Sequence, residues 1–385
     1  MIIQSLLDTD LYKFTMQQVV WSRFPRTHAE YAFKCRNTDV DLRPYADEIR
    51  DEIDQLCRLT LTQDELAYLK SIRFIKPGYV DSLRNLTLDP AAVKITTGDE
   101  FTLRIEGSWY HTILFEVPVL AIINEVYFRN TQPNAPERSS IGRERLAEKC
   151  AQMVNSPVPL RVMEFGTRRR YSRDWQREVI QTLSATGSEA FIGTSNVAWA
   201  KEFSLKPFGT MAHEFLQAGQ AFAPVADSQK FALEHWMQEY RGDLGIALSD
   251  VFGMDAFLHD FDLLFSKAYD GARHDSGDPF DWCEKLIGHY ERMGLDPRTK
   301  TAVFSDGLDM PKCIELAERF NGRIRTQFGV GTNLTNDHGF KALQIVLKLV
   351  RCNGRPVVKL SDTSGKTMSD DPVYLNYVLQ TFGRS

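Results

Sequence analysis

The chain has 385 residues, 43% hydrophobic and 25% charged, with 46 Lys plus Arg against 51 Asp plus Glu for a formal charge of -5. It is too long for one small domain and too apolar for a disordered chain, so it folds around a buried core. The acidic balance gives no global attraction for nucleic acid, and any anion site has to be local.

The first segment, MIIQSLLDTDLYKF, carries Asp8 and Asp10 where a signal peptide needs an apolar stretch, so it is expected to belong to the fold. Alternation over His28 to Arg36 predicts a half-buried strand, and the spacing of Leu42, Tyr45, Ile49, Ile53 and Leu56 predicts a helix. Thr62 followed by Glu65 predicts a capping box at the start of the next helix. Strand-like stretches follow at residues 86–88, 92–96 and 101–105, then a buried helix over VPVLAIINEVYF (117–128). The apolar run Ile113 to Phe128 is interrupted by Glu116, Pro118, Asn124 and Glu125 and is too short to span a bilayer, so no membrane segment is expected. The polar, Pro-containing stretch RNTQPNAPERSS (129–140) predicts a boundary. It divides an N-terminal α+β domain, residues 1–135 and possibly joined by 366–385, from a catalytic domain over 136–365.

Beyond it, eight short apolar runs recur, each ending in small or acidic residues and most followed by a helical pattern. They are RVMEFG (161–166), AFIGTS (190–195), KPFGTMAH (206–213), LGIALSD (244–250), KAYDGARHDSG (267–277), TAVFSDG (301–307), RTQFGVGT (325–332) and RPVVKLSD (355–362). Most intervals are the length of a βα unit, which predicts an α/β fold with an irregular (β/α) barrel and puts the chemistry at the run ends. Cys35, Cys57, Cys150, Cys283, Cys313 and Cys352 are scattered without a C-x-x-C pair, against a disulfide framework or zinc knuckle and in keeping with a reducing cytoplasm.

At those ends, Arg168 offers a guanidinium for a phosphate, while Arg169, Arg170, Arg173 and Arg177 fit an outward helix face. GVGTNLT (329–335) can expose successive backbone N–H groups to a phosphate, or is a plain glycine-rich turn. Asp250, Asp275 and Asp306 fit Mg²⁺, a ribose diol or a developing oxocarbenium ion, or simply cap the next helix. Among eight histidines only His213 has a strand-end context, with an acid/base or nucleophilic reading beside a helix-packing one; Gln217 breaks H-E-x-x-H and excludes a zincin.

Taken together, TDLYKFTM (9–16), NEVYFR (124–129), MEFGTRRR (163–170), GTSNVA (193–198), GTMAHEF (209–215), LSDVFG (248–253), RHDSGD (273–278), SDGLDM (305–310), FGVGTNL (328–334) and VVKLSD (357–362) resemble the nicotinate phosphoribosyltransferase family, of the compact bacterial type, over nearly the whole chain. The resemblance implies transfer from 5-phosphoribosyl 1-pyrophosphate to nicotinate in NAD salvage, coupled to ATP hydrolysis through a phosphohistidine at His213. It also implies nicotinate contacts from Tyr12, Thr210 and Arg273, with Tyr12 reaching across a homodimer interface to stack with Phe165. Gly329, Gly331 and Thr332 would take the 5-phosphate, Arg168 and Lys359 the pyrophosphate, and Asp250, Asp275, Asp306 and Gly307 the ribose end, with Mg²⁺ or Mn²⁺ at Asp275 or Asp306. Ser195 fits a carboxylate-bearing base, since an Asp there would favour an amide and repel an acid. Nicotinamide and quinolinate phosphoribosyltransferases, and a catalytically silent nucleotide sensor on the same scaffold, are the alternatives.

Overall fold

The computed structural model describes residues 1–132, 135–363 and 367–384, with the backbone alone for 135–138. The alternating stretch His28–Cys35 forms β1, which pairs antiparallel with β3 (Phe101–Ser108), itself paired with β2 (Val93–Thr97). Thr62 caps the helix Gln63–Ser71 in a complete capping box, while residues 86–88 form no strand. The helices Trp109–Thr112 and Glu116–Thr131 cover the sheet. This Trp109–Thr131 stretch is long and apolar enough to cross a membrane, but 83% of its most apolar window is buried inside the protein. The expected boundary stretch is helical up to Thr131 and again from Ala135; Pro133 and Asn134, between them, lie outside the described residues.

Six of the eight runs form a parallel sheet: β4 (Val162–Glu164), β5 (Phe191–Thr194), β6 (Ile246–Leu248), β7 (Gly271–His274), β8 (Thr301–Phe304) and β9 (Arg325–Val330), in the order β5-β4-β9-β8-β7-β6. The run 206–213 makes no ladder. Pro207 lacks an N–H and Gly209 sits at φ 132°, so the segment touches β5 by one bridge to Thr194 and β6 by the Thr210 hydroxyl, which donates to the Ile246 carbonyl at 2.7 Å. It spans the gap between the two edge strands, which is where the barrel is irregular.

The eighth run is corrected. β10 (Ile345–Cys352) pairs antiparallel with β1, and β11 (Arg355–Pro356) folds back on β10, so both belong to the other sheet. Asn353 and Gly354 join them with φ 50° and 73°, a two-residue turn whose sequence signature, Asn-Gly, forces a hairpin where a βα unit was expected. In the described part of the last segment, residues 367–384, Phe382 stacks on Phe252 at 4.1 Å and Arg384 donates to the carbonyls of Phe252 and Ser361, while Asp370 pairs with Arg104 on β3.

Of the arginines expected on an outward face, Arg177 is exposed and pairs with Glu202, Arg169 and Arg173 are half-buried, and Arg170 points inward. Arg170 is wholly buried and grips Asp8, also wholly buried, through two bonds of 2.6 and 2.9 Å, and Asn196 donates to the same carboxylate. Burial pushes Asp8 up, but Arg170 outweighs it and holds the carboxyl below its usual range. Arg173 lies 4.4 Å from the Trp199 ring centre. The pair ties the first ten residues to the start of the parallel sheet. Removing one partner, as in Arg170→Met, leaves a buried unpaired charge and is expected to cost about 3–5 kcal/mol. Urea unfolding checks this, and Asp8→Leu/Arg170→Met is expected to recover much of the loss.

Candidate functional site

The ends of the parallel strands open into a cavity of about 570 Å³ whose far wall is the antiparallel sheet. Phe165, Arg168, Ser195, His213, Arg273 and Asp275 line it, together with Asp306, Gly307, Gly329, Gly331, Thr332 and Lys359. Tyr12 reaches it from the helix Leu11–Arg23 of the same chain. The Leu11 N–H donates to the Ser195 carbonyl at 2.8 Å, fixing that helix at the end of β5. The expectation that Tyr12 arrives from a partner subunit is therefore not met, and the argument it gave for a dimer falls away.

Thr210 and Asp250 are the two expected residues outside the lining. The Thr210 hydroxyl is spent on Ile246. Asp250 is buried behind His213, its Oδ1 2.7 Å from His213 Nε2 and its Oδ2 bound by Lys359 Nζ at 2.6 Å and Ser276 Oγ at 2.6 Å. Lys359 Nζ is also 2.7 Å from Nε2. His213 therefore has a carboxylate and an ammonium competing for one nitrogen. When Nε2–H donates to Asp250, the lone pair lies on Nδ1. Burial and then Lys359 push the His213 pKa below that of an ordinary histidine, outweighing Asp250, so the ring is neutral at neutral pH.

None of the three acidic strand ends is a helix cap. Asp278 and Asp309 do that work, for the helices Pro279–Arg292 and Met310–Phe320. Asp275 stands 3.4 Å from His213 Nε2 and accepts from the Ser305 hydroxyl at 2.9 Å. His213, Asp250 and Asp275 present their donor atoms within 4.8 Å of one another. Lys359 is bound to Asp250 and stands against His213 in that cluster, while Asp275 and Asp306 both line the cavity.

At the other end, Arg273 on β7 lines the cavity with its Nε buried and without a hydrogen-bond partner, and no described carboxylate lies within ion-pair distance of its guanidinium. The Tyr12 hydroxyl is likewise buried without a partner. Ser195 donates to Asp10 Oδ1 at 2.8 Å, and Asp10 lines the cavity. A carboxyl therefore stands beside Ser195 after all, with burial pushing its pKa up, and Ser195 by itself does not decide between acid and amide.

Matches to known sequences decide the family. Residues 7–124 match the nicotinate phosphoribosyltransferase (NAPRTase) N-terminal domain and residues 160–385 match the nicotinate phosphoribosyltransferase (NAPRTase) family. The chain belongs to the nicotinate phosphoribosyltransferase family. It is 57% identical to the nicotinate phosphoribosyltransferase of Burkholderia mallei over 390 residues, covering 100% of this chain and 97% of that protein. It is equally similar, 57% over 389 residues, to that of Cupriavidus necator, covering 99% and 98%. The crystal structure of nicotinate phosphoribosyltransferase from Vibrio cholerae superposes with TM-score 0.95 at 38% identity, covering 100% of this chain and 94% of that one. The enzyme from Porphyromonas gingivalis gives 0.94 at 34% identity, covering 99% and 100%.

In this member of the nicotinate phosphoribosyltransferase family the cavity also holds residues that sequence reasoning passed over. Arg36, directly after β1, and Lys348 on β10 add cations from the antiparallel wall. Burial, then Lys359 and Arg36, push Lys348 down to about 7, and burial followed by Arg168 pushes Arg169 down to about 10. Cations crowded against one another in this way mark a place for a polyanion. Glu164 is wholly buried, raised to about 7 by burial, and accepts from Gly166 N–H, Thr194 Oγ1 and Gln176 Nε2, pinning the Phe165–Gly166 turn. Alternation running through β1 into Arg36 could have flagged it; nothing local marks Lys348, because its strand is completed by a partner over 300 residues away.

Phe165 is wedged by a glycine. A Cβ on Gly329 would lie 2.2 Å from the Phe165 ring, so only hydrogen fits there. Gly329→Ala is expected to displace that ring and destabilise the fold by about 1–3 kcal/mol, read by urea unfolding.

Proposed function

We propose that the chain is an enzyme that forms nicotinate mononucleotide and pyrophosphate from nicotinate and 5-phosphoribosyl 1-pyrophosphate, with ATP hydrolysis coupled through His213. The observation that carries this reading is Arg273, a guanidinium with a buried, unpartnered Nε in a cavity it shares with Tyr12 and Phe165. A flat ring bearing a carboxylate fits between the two aromatic side chains and supplies the missing anion. A neutral amide leaves the guanidinium without a charge partner, which favours the acid over nicotinamide even with Asp10 nearby.

The pyridine nitrogen attacks C1 of the ribose while the bond from C1 to the pyrophosphate oxygen breaks, so positive charge develops on the sugar and negative charge on the leaving group. Asp275 and Asp306 would serve the first, and Arg168, with Arg36 and Lys348, the second. Mg²⁺ held by Asp275 or Asp306 would neutralise pyrophosphate oxygens. Gly331 and Thr332 open the short helix Thr332–Thr335, whose first N–H groups lack intrahelical acceptors and suit the 5-phosphate, and Gly329 at the end of β9 lines the same wall. In the coupled step, His213 Nδ1 attacks the γ-phosphorus of ATP, ADP departs, and water later takes the phosphoryl group as inorganic phosphate. Lys359 and Asp250 hold the ring for that attack, so Lys359 acts on His213 more directly than on pyrophosphate.

Product formation from labelled nicotinate with and without ATP tests the reading, with nicotinamide as competitor. Wild type is expected to prefer the acid and to be stimulated by ATP. His213→Ala is expected to lose the stimulation and retain slow ATP-independent transfer. Because burial and Lys359 hold the His213 pKa below that of an ordinary histidine, ATP stimulation is expected to decline at a lower pH than protonation of an ordinary histidine would give, read from the pH profile of the rate with and without ATP. Preference for nicotinamide would move the chain to the amide-using reaction, and no transfer to either base would favour a silent nucleotide sensor.

A further inference from the structure

Neither of the two residues closest to His213 Nε2 stands on a strand: β6 ends at Leu248, short of Asp250, and β11 ends at Pro356, short of Lys359. Their meeting therefore depends on what joins the two loops. The Leu360 N–H donates to the Val251 carbonyl at 2.7 Å, and Arg384 adds a bridge from the last described segment. Its guanidinium donates through Nη1 to the Phe252 carbonyl at 3.1 Å and through Nη2 to the Ser361 carbonyl at 2.9 Å. Each carbonyl lies just beyond a partner of His213, Phe252 after Asp250 and Ser361 after Lys359. Nη2 also lies 3.5 Å from Asp362 Oδ1, and Asp362 Oδ2 accepts from the Met254 N–H at 3.0 Å.

The backbone of both loops is shaped to admit this bridge. Ser361 has φ 64°, the left-handed region that a residue with a Cβ avoids, and such a conformation persists only where its surroundings hold it. Gly253 has φ 99°, and a Cβ there would lie 2.6 Å from Asp362 Oδ1 and 2.8 Å from Arg384 Nη1, so the arginine sits in the space a side chain would fill. Phe382, stacked on Phe252, seats the segment that carries it. Arg384 itself lies outside the cavity lining.

We propose that Arg384 is a positioning residue for the coupled step, its two-armed bridge holding Asp250 and Lys359 together at His213 Nε2. The proposal rests on the phosphohistidine reading above. With the bridge in place, Asp250 and Lys359 fix the imidazole for attack through Nδ1. Without it, Ser361 relaxes out of the left-handed region and carries Lys359 with it, so the ring loses the contacts that orient it. A small displacement suffices, because transfer between bound groups depends steeply on their alignment. Arg273 and Gly329 are carried by β7 and β9 and not by the bridged loops, so transfer without ATP does not need the bridge.

The test measures phosphoryl labelling of the protein from γ-labelled ATP, and the transfer rate with and without ATP, in wild type and Arg384→Met, with thermal melting of the same samples. Well below its melting temperature, Arg384→Met is expected to label about fivefold or more slowly at saturating ATP, with the KM for ATP unchanged. The ratio of the rate with ATP to the rate without is expected to fall, while the rate without ATP stays as in wild type. A merely structural arginine lowers the melting temperature and leaves labelling and ratio alone. That result overturns the proposal, and so does a parallel fall in the rate without ATP. If Arg384→Met does not fold, Arg384→Gln, which keeps a single donor group, is read in the same way. Absence of label and of ATP stimulation in wild type would remove the phosphohistidine reading itself, a result separate from undiminished labelling in the variant.

Discussion

Arg273 presents a guanidinium to the cavity with its Nε buried and without a hydrogen-bond partner, and the inner end of the cavity is organised around it. Arg273 is placed by β7, whose neighbours β6 and β8 hold it in register. Tyr12 is brought opposite the strand ends by a helix tied to Ser195, and that helix depends in turn on the Asp8–Arg170 pair at the base of the first segment. The binding end of the cavity is thus assembled from both ends of the folding problem. A buried ion pair seats the N-terminal segment, and the parallel sheet supplies the cation it faces.

The acidic residues divide their labour by position more than by type. Asp278 and Asp309 satisfy helix N-termini, Asp250 is withdrawn behind His213, and Asp275 and Asp306 remain on the cavity. Because Asp250 is held by Lys359, Ser276 and His213 together, it orients the imidazole and is not offered to a sugar. The cations follow the same logic: Arg170 is structural, while Arg36, Arg168 and Lys348 remain where a polyanion can meet them. Lys13 with Glu116 and Glu214 forms a second buried charge cluster beside the Asp8–Arg170 pair.

Much of this was legible in the sequence where the signal is local. The strand His28–Cys35, the capping box at Thr62, the buried helix after Glu116 and six of the parallel strands follow from alternation, capping and apolar runs. The failures are non-local. The run at residues 355–362 looked like another barrel strand because its composition is the same, and only the Asn353-Gly354 turn betrays the hairpin. Arg169 and Arg170 looked solvated because their partners, the Ile345 carbonyl and Asp8, are more than 150 residues away in the chain. Thr210 and Asp250, expected as ligand contacts, lie outside the cavity lining: the Thr210 hydroxyl donates to Ile246 and Asp250 is bound to His213, Lys359 and Ser276.

The most direct measurement of the central claim is calorimetric binding of nicotinate and nicotinamide to the wild-type chain and to Arg273→Ala. Nicotinate is expected to bind wild type in preference to nicotinamide, and the substitution is expected to abolish that preference, with a loss for the acid of about 2–5 kcal/mol. Equal affinity of wild type for the two bases, or a preference for nicotinate that survives in Arg273→Ala, would contradict the assignment of the unpartnered guanidinium to a carboxylate.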